Sequence, residues 1–245
     1  MSSRQRREAA LAEARERAEE APPLPAEGWP QVLIDRTRAL WESLEGRYGF
    51  WDHGFEVFAS PVTPGAAVLI IDEHPTGDAT AFDLARASVV PTSHAYLAGD
   101  GLRERRMRDA FARAGHEATL AASVMMHANC FRSRDLAQWR TTNVPERQWM
   151  EKHSLDVLRS ALERVDPRLV LCEGMDTLQR VLKLFPGADP TTVAVAGGSR
   201  RAYCRARLDG GTTLAAIIDP GNPRTSDGDW DAALPELARD LDGLR

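Results

Sequence analysis

Three short polar segments of this sequence each follow an apolar run, and their side chains are of types that carry out acid–base chemistry. They are residues 72–75 (DEHP), 127–129 (HAN) and 219–223 (DPGNP). Carboxylate and imidazole groups transfer protons, and the same groups ligate divalent cations. The first segment is therefore compatible with a catalytic site, with a metal site completed by His94 or His127, or with a polar loop that caps a helix.

The apolar runs before these segments are typical of strands buried on both faces of a parallel sheet. Such runs occupy residues 66–71, 119–126, 168–172 and 213–218. Helical patterns separate them, and strands that alternate with helices predict an α/β fold with a mainly parallel sheet. Further expected elements are helices at 29–44, 102–114, 145–165, 175–185 and 230–241, and shorter strands at 55–60, 192–196 and 203–208.

A sheet of this kind binds its ligands beyond the carboxyl ends of its parallel strands. All three polar segments stand at such predicted ends, so we expect them to meet at one edge of the sheet. Polar clusters at three strand ends indicate a functional site at that edge more strongly than any single cluster does.

Composition and charge limit the classes of protein to which the chain can belong. It has 245 residues, 43% of them hydrophobic, and a formal net charge of −5. These values argue against wholesale disorder and against a uniformly basic nucleic-acid-binding surface. Residues 1–28 are expected to form a charged helical tail and a proline-rich linker, and residues 29–245 a single domain.

The cysteines and the apolar runs bear on the cellular environment. Three widely separated cysteines predict neither a disulfide framework nor an iron–sulfur cluster. No apolar run is long enough to cross a bilayer, and the charged N-terminal segment lacks the apolar stretch of a signal peptide. We therefore expect a cytoplasmic protein that has no membrane partner.

In order and spacing, the three polar segments resemble the motifs of the uracil-DNA glycosylase superfamily. Members of that family have a strand followed by a short proline-containing motif, a second strand that ends in asparagine, and a late strand followed by a loop that enters the DNA. The corresponding segments here are VLIIDEHPTGD (68–78), SVMMHAN (123–129) and AAIIDPGNPRTS (215–226). The resemblance covers residues 48–245 and implies a three-layer α/β/α sandwich around a mainly parallel four-stranded sheet.

The resemblance also implies catalytic roles for particular side chains. Cleavage of an N-glycosidic bond builds positive charge on the sugar and negative charge on the departing base, so a carboxylate near the sugar and a donor near the base stabilise the transition state. Glu73 or His74 would act at the sugar. Asp219 stands where many members have a histidine that stabilises the base oxyanion, and a carboxylate there would repel that charge unless it were protonated.

Other residues correspond to parts of the family that contact the base or the DNA. Asn129 matches the asparagine that reads the base, since its amide offers a donor and an acceptor. Pro75 matches the motif proline, and Phe82 and Tyr96 lie where the family places an aromatic side chain that stacks on the base. The expected DNA contacts are Asn222, Pro223, Arg224, Arg132, Arg134, Arg200 and Arg201.

We therefore expect a monomeric DNA glycosylase that binds DNA, extrudes uracil or another modified base, and hydrolyses its glycosidic bond without a metal or other cofactor. Two other functions are compatible with the residues. One is a non-enzymatic nucleic-acid- or nucleotide-binding module on the same fold, which the unusual Asp72 and Asp219 favour. The other is a metal-assisted hydrolase that uses Asp72, His74 and His127.

Overall fold

The central sheet is built from the apolar runs, because strands covered by helices on both faces need apolar side chains throughout. The computed structural model describes residues 23–244. The strands in these residues are β1 Val68–Asp72, β2 Val124–His127, β3 Leu169–Glu173, β4 Thr191–Ala196, β5 Arg200–Arg207 and β6 Thr213–Ile217. They form one sheet in the order β2-β1-β3-β6-β5-β4.

Neighbouring strands among β1, β2, β3 and β6 pair in parallel, whereas β5 is antiparallel to both β6 and β4. The α/β class and the mainly parallel sheet are therefore confirmed. The expected number of four strands is wrong, since the sheet has six. The difference arises because the hairpin of β4 and β5 pairs with the open edge of β6 and extends the four parallel strands by two.

Helices cover both faces of this sheet. Those in residues 23–244 are α1 Trp29–Ser43, α2 Leu84–Ala87, α3 Ala95–Ala98, α4 Leu102–Arg113, α5 Glu117–Ala122, α6 Leu136–Thr141, α7 Val144–Val165, α8 Met175–Val181, α9 Asp227–Asp231 and α10 Leu234–Asp242. Apolar side chains of α1, α7 and α8 pack on one face, against Leu69 and Ile71. Those of α4, α5, α9 and α10 pack on the other face, against Val68 and Ile70.

The segment expected to form a strand at residues 55–60 does not do so. It makes only isolated antiparallel bridges, from Phe55 to Phe131 and from Phe58 to Met126. The segment follows the edge strand β2 without forming a continuous ladder. It nevertheless covers that edge, whose unpaired backbone N–H and C=O groups could otherwise pair with a strand of another protein molecule.

Two other boundaries differ from the sequence prediction. The apolar run at 119–126 begins inside α5 and becomes a strand only at β2. The closing helix is divided into α9 and α10, and Pro235 stands in the first turn of α10, where a proline is tolerated because its missing N–H is not needed. The expected helices at 29–44, 102–114 and 145–165 agree closely with α1, α4 and α7.

The charged tail expected at residues 1–28 falls mostly on residues 1–22, which lie outside the described residues. Within residues 23–244, no helix combines the length and the apolar character that a membrane span requires.

Candidate active site

The first two polar segments run side by side at the carboxyl edge of the sheet. The backbone N–H of Asn129 donates to the carbonyl oxygen of Glu73 over 3.0 Å. Further along, the N–H of Gly77 donates to the carbonyl oxygen of Ser133 over 3.1 Å. These bonds fix the segment after β1 against the segment after β2, as neighbouring parallel strands would require.

The third segment follows β6 at the same edge. Oδ1 of Asp219 accepts a hydrogen bond from the N–H of Gly221 over 2.8 Å. Asp219 lies next to Gly174, which directly follows β3: a Cβ atom at position 174 would be 3.5 Å from Cβ of Asp219. Burial raises the pKa of the Asp219 carboxyl; the hydrogen bond from Gly221 opposes this effect, and the charge of Asp72 adds to it.

Strand geometry sends adjacent side chains of the first segment to opposite faces of the sheet. Asp72, the last residue of β1, points to the face covered by α4, where it meets Arg103. Glu73 points to the other face, where it lines a cleft beside α6, α7 and α8. The two adjacent carboxylates therefore belong to two different groups of side chains.

The cleft beside Glu73 has a volume of about 410 Å³ and is open to solvent. Burial raises the pKa of Glu73, the charge of Arg180 lowers it, and the charge of Asp176 raises it further. Four cationic and three acidic side chains line the cleft, which leaves one net positive charge. The lining consists of Glu73, Leu136, Trp139, Arg140, Arg147, Glu151, Asp176, Gln179, Arg180 and Lys183.

Sequence reasoning did not identify the cations of this cleft. Arg180 and Lys183 are three residues apart, and Arg147 and Glu151 are four apart, so each pair shares one helical face. In the folded chain, Nη1 of Arg147 donates to the carbonyl of Arg140 over 3.0 Å, and Nη1 of Arg180 lies 3.8 Å from Oε1 of Glu151. The spacing in the sequence predicts that each pair shares a helical face, but only tertiary packing brings the faces of the different helices together.

His74 is buried and does not line the cleft. Its Nε2 lies 2.7 Å from Oγ of Ser133, and that hydroxyl donates its own proton to the carbonyl of Asp135. Nε2 of His74 is therefore the donor to Ser133. Burial lowers the pKa of His74 to about 4, so the ring is neutral near pH 7. Of the two candidates for the group that acts at the sugar, Glu73 faces the cleft. Pro75, which follows His74, is buried.

Asn129 is fully buried behind the cleft. Its Oδ1 accepts from the N–H of Phe131 (3.4 Å) and from Oγ of Ser154 (3.3 Å), and its Nδ2 donates to the carbonyl of Phe131 (3.3 Å). The amide therefore holds the loop after β2 against α7. Recognition of a base by Asn129 stays a prediction, and it requires the amide to exchange these long bonds for bonds to the base.

On the opposite face, the ends of β1 and β3 share one guanidinium group. Nη1 of Arg103 lies 3.0 Å from Oδ2 of Asp72, and Nε of Arg103 lies 2.7 Å from Oε2 of Glu173. The neighbouring strand adds His127, whose Nδ1 is 3.3 Å from Oδ2 of Asp72. We call Asp72, Arg103, His127 and Glu173 the strand-end network. It extends across three adjacent strands because their last residues are in register.

Two carboxylates that compete for one arginine ionise unequally. Burial raises the pKa of Asp72, but the charge of Arg103 and the contact with His127 outweigh burial and hold that pKa well below its usual range. Burial, together with the charges of Asp72 and Asp219, raises the pKa of Glu173 well above its usual range. Asp72 therefore carries the negative charge, and Glu173 takes up a proton first.

The two candidate stacking residues do not line the Glu73 cleft. Tyr96 is fully buried, and the guanidinium of Arg103 lies 5.5 Å from its ring centre. Phe82 packs on Trp41, and the guanidinium of Arg132 lies 5.7 Å from its ring centre. The aromatic side chain that lines the cleft is Trp139.

The loop expected to contact DNA is exposed. Asn222, Pro223 and Arg224 all lie at the surface, and Oδ1 of Asn222 accepts from the N–H of Arg224 over 2.9 Å. The buried Arg106 of α4 fixes the base of this loop, because its Nη2 donates to the carbonyl of Thr225 over 2.8 Å. Arg106 was not among the predicted site residues.

The four other predicted DNA contacts lie at two places. Nη1 of Arg200 donates to the carbonyl of Arg224 over 2.8 Å, and the neighbouring Arg201 is exposed. Arg132 and Arg134 follow β2 instead, and Nε of Arg134 bonds to its neighbour Asp135 over 3.2 Å. Arg200 and Arg201 thus lie beside the exposed loop, whereas Arg132 and Arg134 lie beside the segment after β1.

The interpretation of Asp72, His74 and His127 as metal ligands does not agree with the geometry. Asp72 and His127 are neighbours, whereas Nε2 of His74 is bonded to Ser133. Within residues 23–244, no three His, Cys, Asp or Glu side chains are grouped so that they could hold a metal ion.

Comparison with known proteins adds no relatives to this description. No protein-family model matches the sequence, and no curated protein matches it either.

Proposed function

We propose that this protein hydrolyses the N-glycosidic bond of a nucleotide in DNA and that Glu73 is its catalytic carboxylate. The observation that carries this proposal is the position of Glu73, directly after a central parallel strand and within a cleft of about 410 Å³. That volume falls in the range of about 300–1,000 Å³ typical of small-molecule sites, enough for one extruded nucleotide.

The reaction would use the charges that surround Glu73. Water attacks C1′ as the bond between C1′ and the base nitrogen breaks, and the electron pair of that bond leaves with the base. Ionised Glu73 stabilises the cationic sugar or orients the water, whose proton passes to the carboxylate or to solvent. Arg140, Arg147 and Arg180 offer donors to the departing base and to the flanking phosphates.

The backbone of Glu73 is held at both ends, which favours a fixed position for its carboxylate. Its N–H donates to Oδ1 of Asp72 over 2.7 Å, and its carbonyl accepts from Asn129 over 3.0 Å. A catalytic group gains from such fixation because its orientation is then set before the substrate binds.

In this proposal, the DNA contacts come from the exposed loop and from the arginines near it. Arg224 and Arg200 would bind phosphates on one side of the carboxyl edge. Arg132 would bind them on the other, near the segment after β1. Asp219 lies between the third strand end and this loop, beside Asp72 and Arg103 and not in the lining of the Glu73 cleft, so this proposal gives it no contact with the departing base.

Base release from labelled oligonucleotides tests the proposal. The panel carries uracil, hypoxanthine, xanthine and modified cytosines in single- and double-stranded DNA, with chelator present and alkali to cleave abasic sites. We expect Glu73→Gln to lower release at least about 100-fold, as loss of a charge-stabilising group does, with little change in DNA affinity. Glu151→Gln removes the same charge from the same cleft and should retain release.

The proposal fails if the wild-type protein releases none of these bases, or if Glu73→Gln releases them at the wild-type rate. Asn129→Ala tests the base-reading role separately: excision should be lost while DNA affinity is kept. Because this change also removes buried hydrogen bonds, thermal unfolding must confirm that the variant is folded at the assay temperature.

A non-enzymatic nucleic-acid-binding function is the second candidate, and one observation favours it. The amide of Asn129 is used by Phe131 and Ser154, so the cleft can bind phosphate through its cations without reading a base. This function predicts DNA binding that weakens steeply with salt, with no base release from any oligonucleotide.

A further inference from the structure

A second cleft lies at the amino-terminal edge of the parallel strands, opposite the edge that carries Glu73. It has a volume of about 310 Å³ and is formed at the start of β3 and β6, the end of β5, and the end of α10. Four arginines and one acidic residue line it, which makes its charge strongly positive. The complete lining is Arg168, Arg205, Arg207, Gly211, Thr213, Arg239, Asp240, Gly243 and Leu244.

Two of the four arginines are balanced by acidic side chains. Nε of Arg205 lies 2.6 Å from Oδ1 of Asp240, and its Nη2 lies 3.1 Å from Oε2 of Glu236. Arg239 is paired with the same Glu236. Two acids thus neutralise two arginines, and this part of the cleft presents no excess charge.

The other two arginines are not balanced. Nη1 of Arg207 donates to the carbonyl of Gly211 and to Oγ1 of Thr213, both over 2.8 Å. Both acceptors are neutral, so they orient the guanidinium but leave its charge uncompensated. The exposed guanidinium of Arg168 bonds to no side chain or carbonyl of residues 23–244. The cleft therefore presents about two uncompensated positive charges.

The backbone around these two arginines is firmly held. The N–H of Arg168 donates to the carbonyl of Ala67 over 3.0 Å, and its own carbonyl accepts from the N–H of Thr213 over 2.9 Å. The end of β5 is closed by a tight turn in which Gly210 and Gly211 both have a φ of 92°, a conformation that favours glycine. Because the backbone is already fixed, ligand binding needs to order only the side chains of these arginines.

We propose that this arginine cleft binds a terminal phosphate group, which carries nearly two negative charges near pH 7. Two guanidinium groups match such a group in charge, and each can donate two parallel hydrogen bonds to its oxygens. A free phosphate ion and the 5′-phosphate at the end of a nucleic-acid strand offer the same chemistry. Because the arginine cleft is at the edge opposite Glu73, the inference does not depend on the proposed function.

Isothermal titration of the full chain at low salt tests this inference with three probes. They are inorganic phosphate, a thymidine dinucleotide with a 5′-phosphate, and the same dinucleotide with a 5′-hydroxyl. We expect the 5′-phosphate to increase affinity about tenfold or more, since hydrogen bonds between charged groups are roughly twice as strong as those between neutral groups. If phosphate binds and the phosphorylated dinucleotide does not, the site is one for the free ion.

Variants assign the binding to the arginine cleft. Arg168→Gln and Arg207→Gln should each weaken binding about tenfold, and both changes together should abolish it. Arg168→Gln removes an exposed side chain without bonds, so it keeps the test valid if Arg207→Gln disturbs the turn. Arg159→Gln, on the exposed surface of α7, is the matched control and should bind as the wild type does. The inference is overturned if neither phosphate-bearing probe binds, if both dinucleotides bind with equal measurable affinity, or if Arg168→Gln and Arg207→Gln both bind as tightly as the wild type and Arg159→Gln do.

Discussion

Replacement of Arg103 by methionine should destabilise the protein strongly, because Arg103 is the cation that faces two carboxylates at the ends of β1 and β3. The side chains of Arg103, Asp72 and Glu173 are 25%, 15% and 1% exposed. Methionine keeps most of the volume of the aliphatic stem but removes the guanidinium. Asp72 would then be a largely buried anion beside Glu173 without its cationic partner.

Removal of one partner from a buried ion pair typically costs about 3–5 kcal/mol. Since Arg103 is partly accessible to water, we expect a loss near the lower limit, about 3 kcal/mol of unfolding free energy at pH 7. Domains of this kind have total stabilities of about 5–15 kcal/mol, so the variant should fold but unfold at clearly lower denaturant.

The loss should also depend on pH. In the wild type, the lowered pKa of Asp72 stabilises the fold above the unfolded-state pKa, and this stabilisation is lost as the pH falls through the folded-state value. Without Arg103, the largest effect that lowers the pKa of Asp72 is lost, so burial should shift that pKa upward. Protonation then relieves the buried charge, so the difference in stability between variant and wild type should shrink between pH 7 and pH 5.

Urea unfolding followed by circular dichroism measures these differences. When Asp72→Asn is added to Arg103→Met, the double variant should regain more than half of the unfolding free energy that Arg103→Met loses. Asparagine removes the buried charge, and its oxygen can still accept from the N–H of Glu73. Arg159→Met, which breaks an exposed pair, should change stability by less than about 1 kcal/mol. A loss below about 1 kcal/mol for Arg103→Met, or a double variant no more stable than the single one, would refute the reasoning.

Three further predictions concern groups at the same edge of the sheet. The rate of base release should fall as the pH is lowered and Glu73 is protonated, and the raised pKa of Glu73 places the inflection above that of an ordinary carboxyl. In pH–rate profiles, Arg180→Gln should move this inflection to higher pH and Asp176→Asn should move it to lower pH. The folded-state pKa of His74, about 4, lies below the unfolded-state value, so the unfolded chain binds a proton more readily. Lowering the pH from above 7.5 to 5 should therefore reduce the unfolding free energy by about 2 kcal/mol, and urea unfolding of His74→Gln should not show this pH-dependent loss. Arg106→Met removes hydrogen bonds to the loop at 219–227, so amide hydrogen exchange in this loop should become faster and DNA binding should weaken several-fold. Unchanged exchange would show that Arg106 does not hold the loop.

The parallel strands could be predicted from the sequence because burial on both faces requires continuous apolar runs. The runs at 66–71, 168–172 and 213–218 agree with β1, β3 and β6 to within two residues. The size of the sheet was not predictable in the same way. Residues 192–196 and 203–208 have strand-like patterns, but their attachment to β6 depends on pairing between distant segments, which no local pattern encodes.

The location of the candidate site at the carboxyl edge also followed from the sequence, whereas its division into two faces did not. Strand alternation places Asp72 and Glu73 on opposite faces, a consequence that the sequence reasoning did not draw. The arginine-rich run at 102–108 has the composition of a solvated helix face. Yet Arg103 and Arg106 are directed inward, because the partners of Arg103 are the strand ends at Asp72 and Glu173 and the partner of Arg106 is the distant loop at Thr225.

Asp72 connects the two faces. Oδ2 of Asp72 is held by Arg103 on one face, while its Oδ1 accepts from the N–H of Glu73, whose side chain enters the cleft on the other. An arginine suits this position because its planar fork can bond Asp72 and Glu173 at once and fix both carboxylates in direction. The strand-end network thus determines the backbone from which Glu73 projects. A change at Arg103 should therefore disturb the cleft even where the protein remains folded, since a displacement of about 1 Å in a catalytic group can lower a rate about 100-fold.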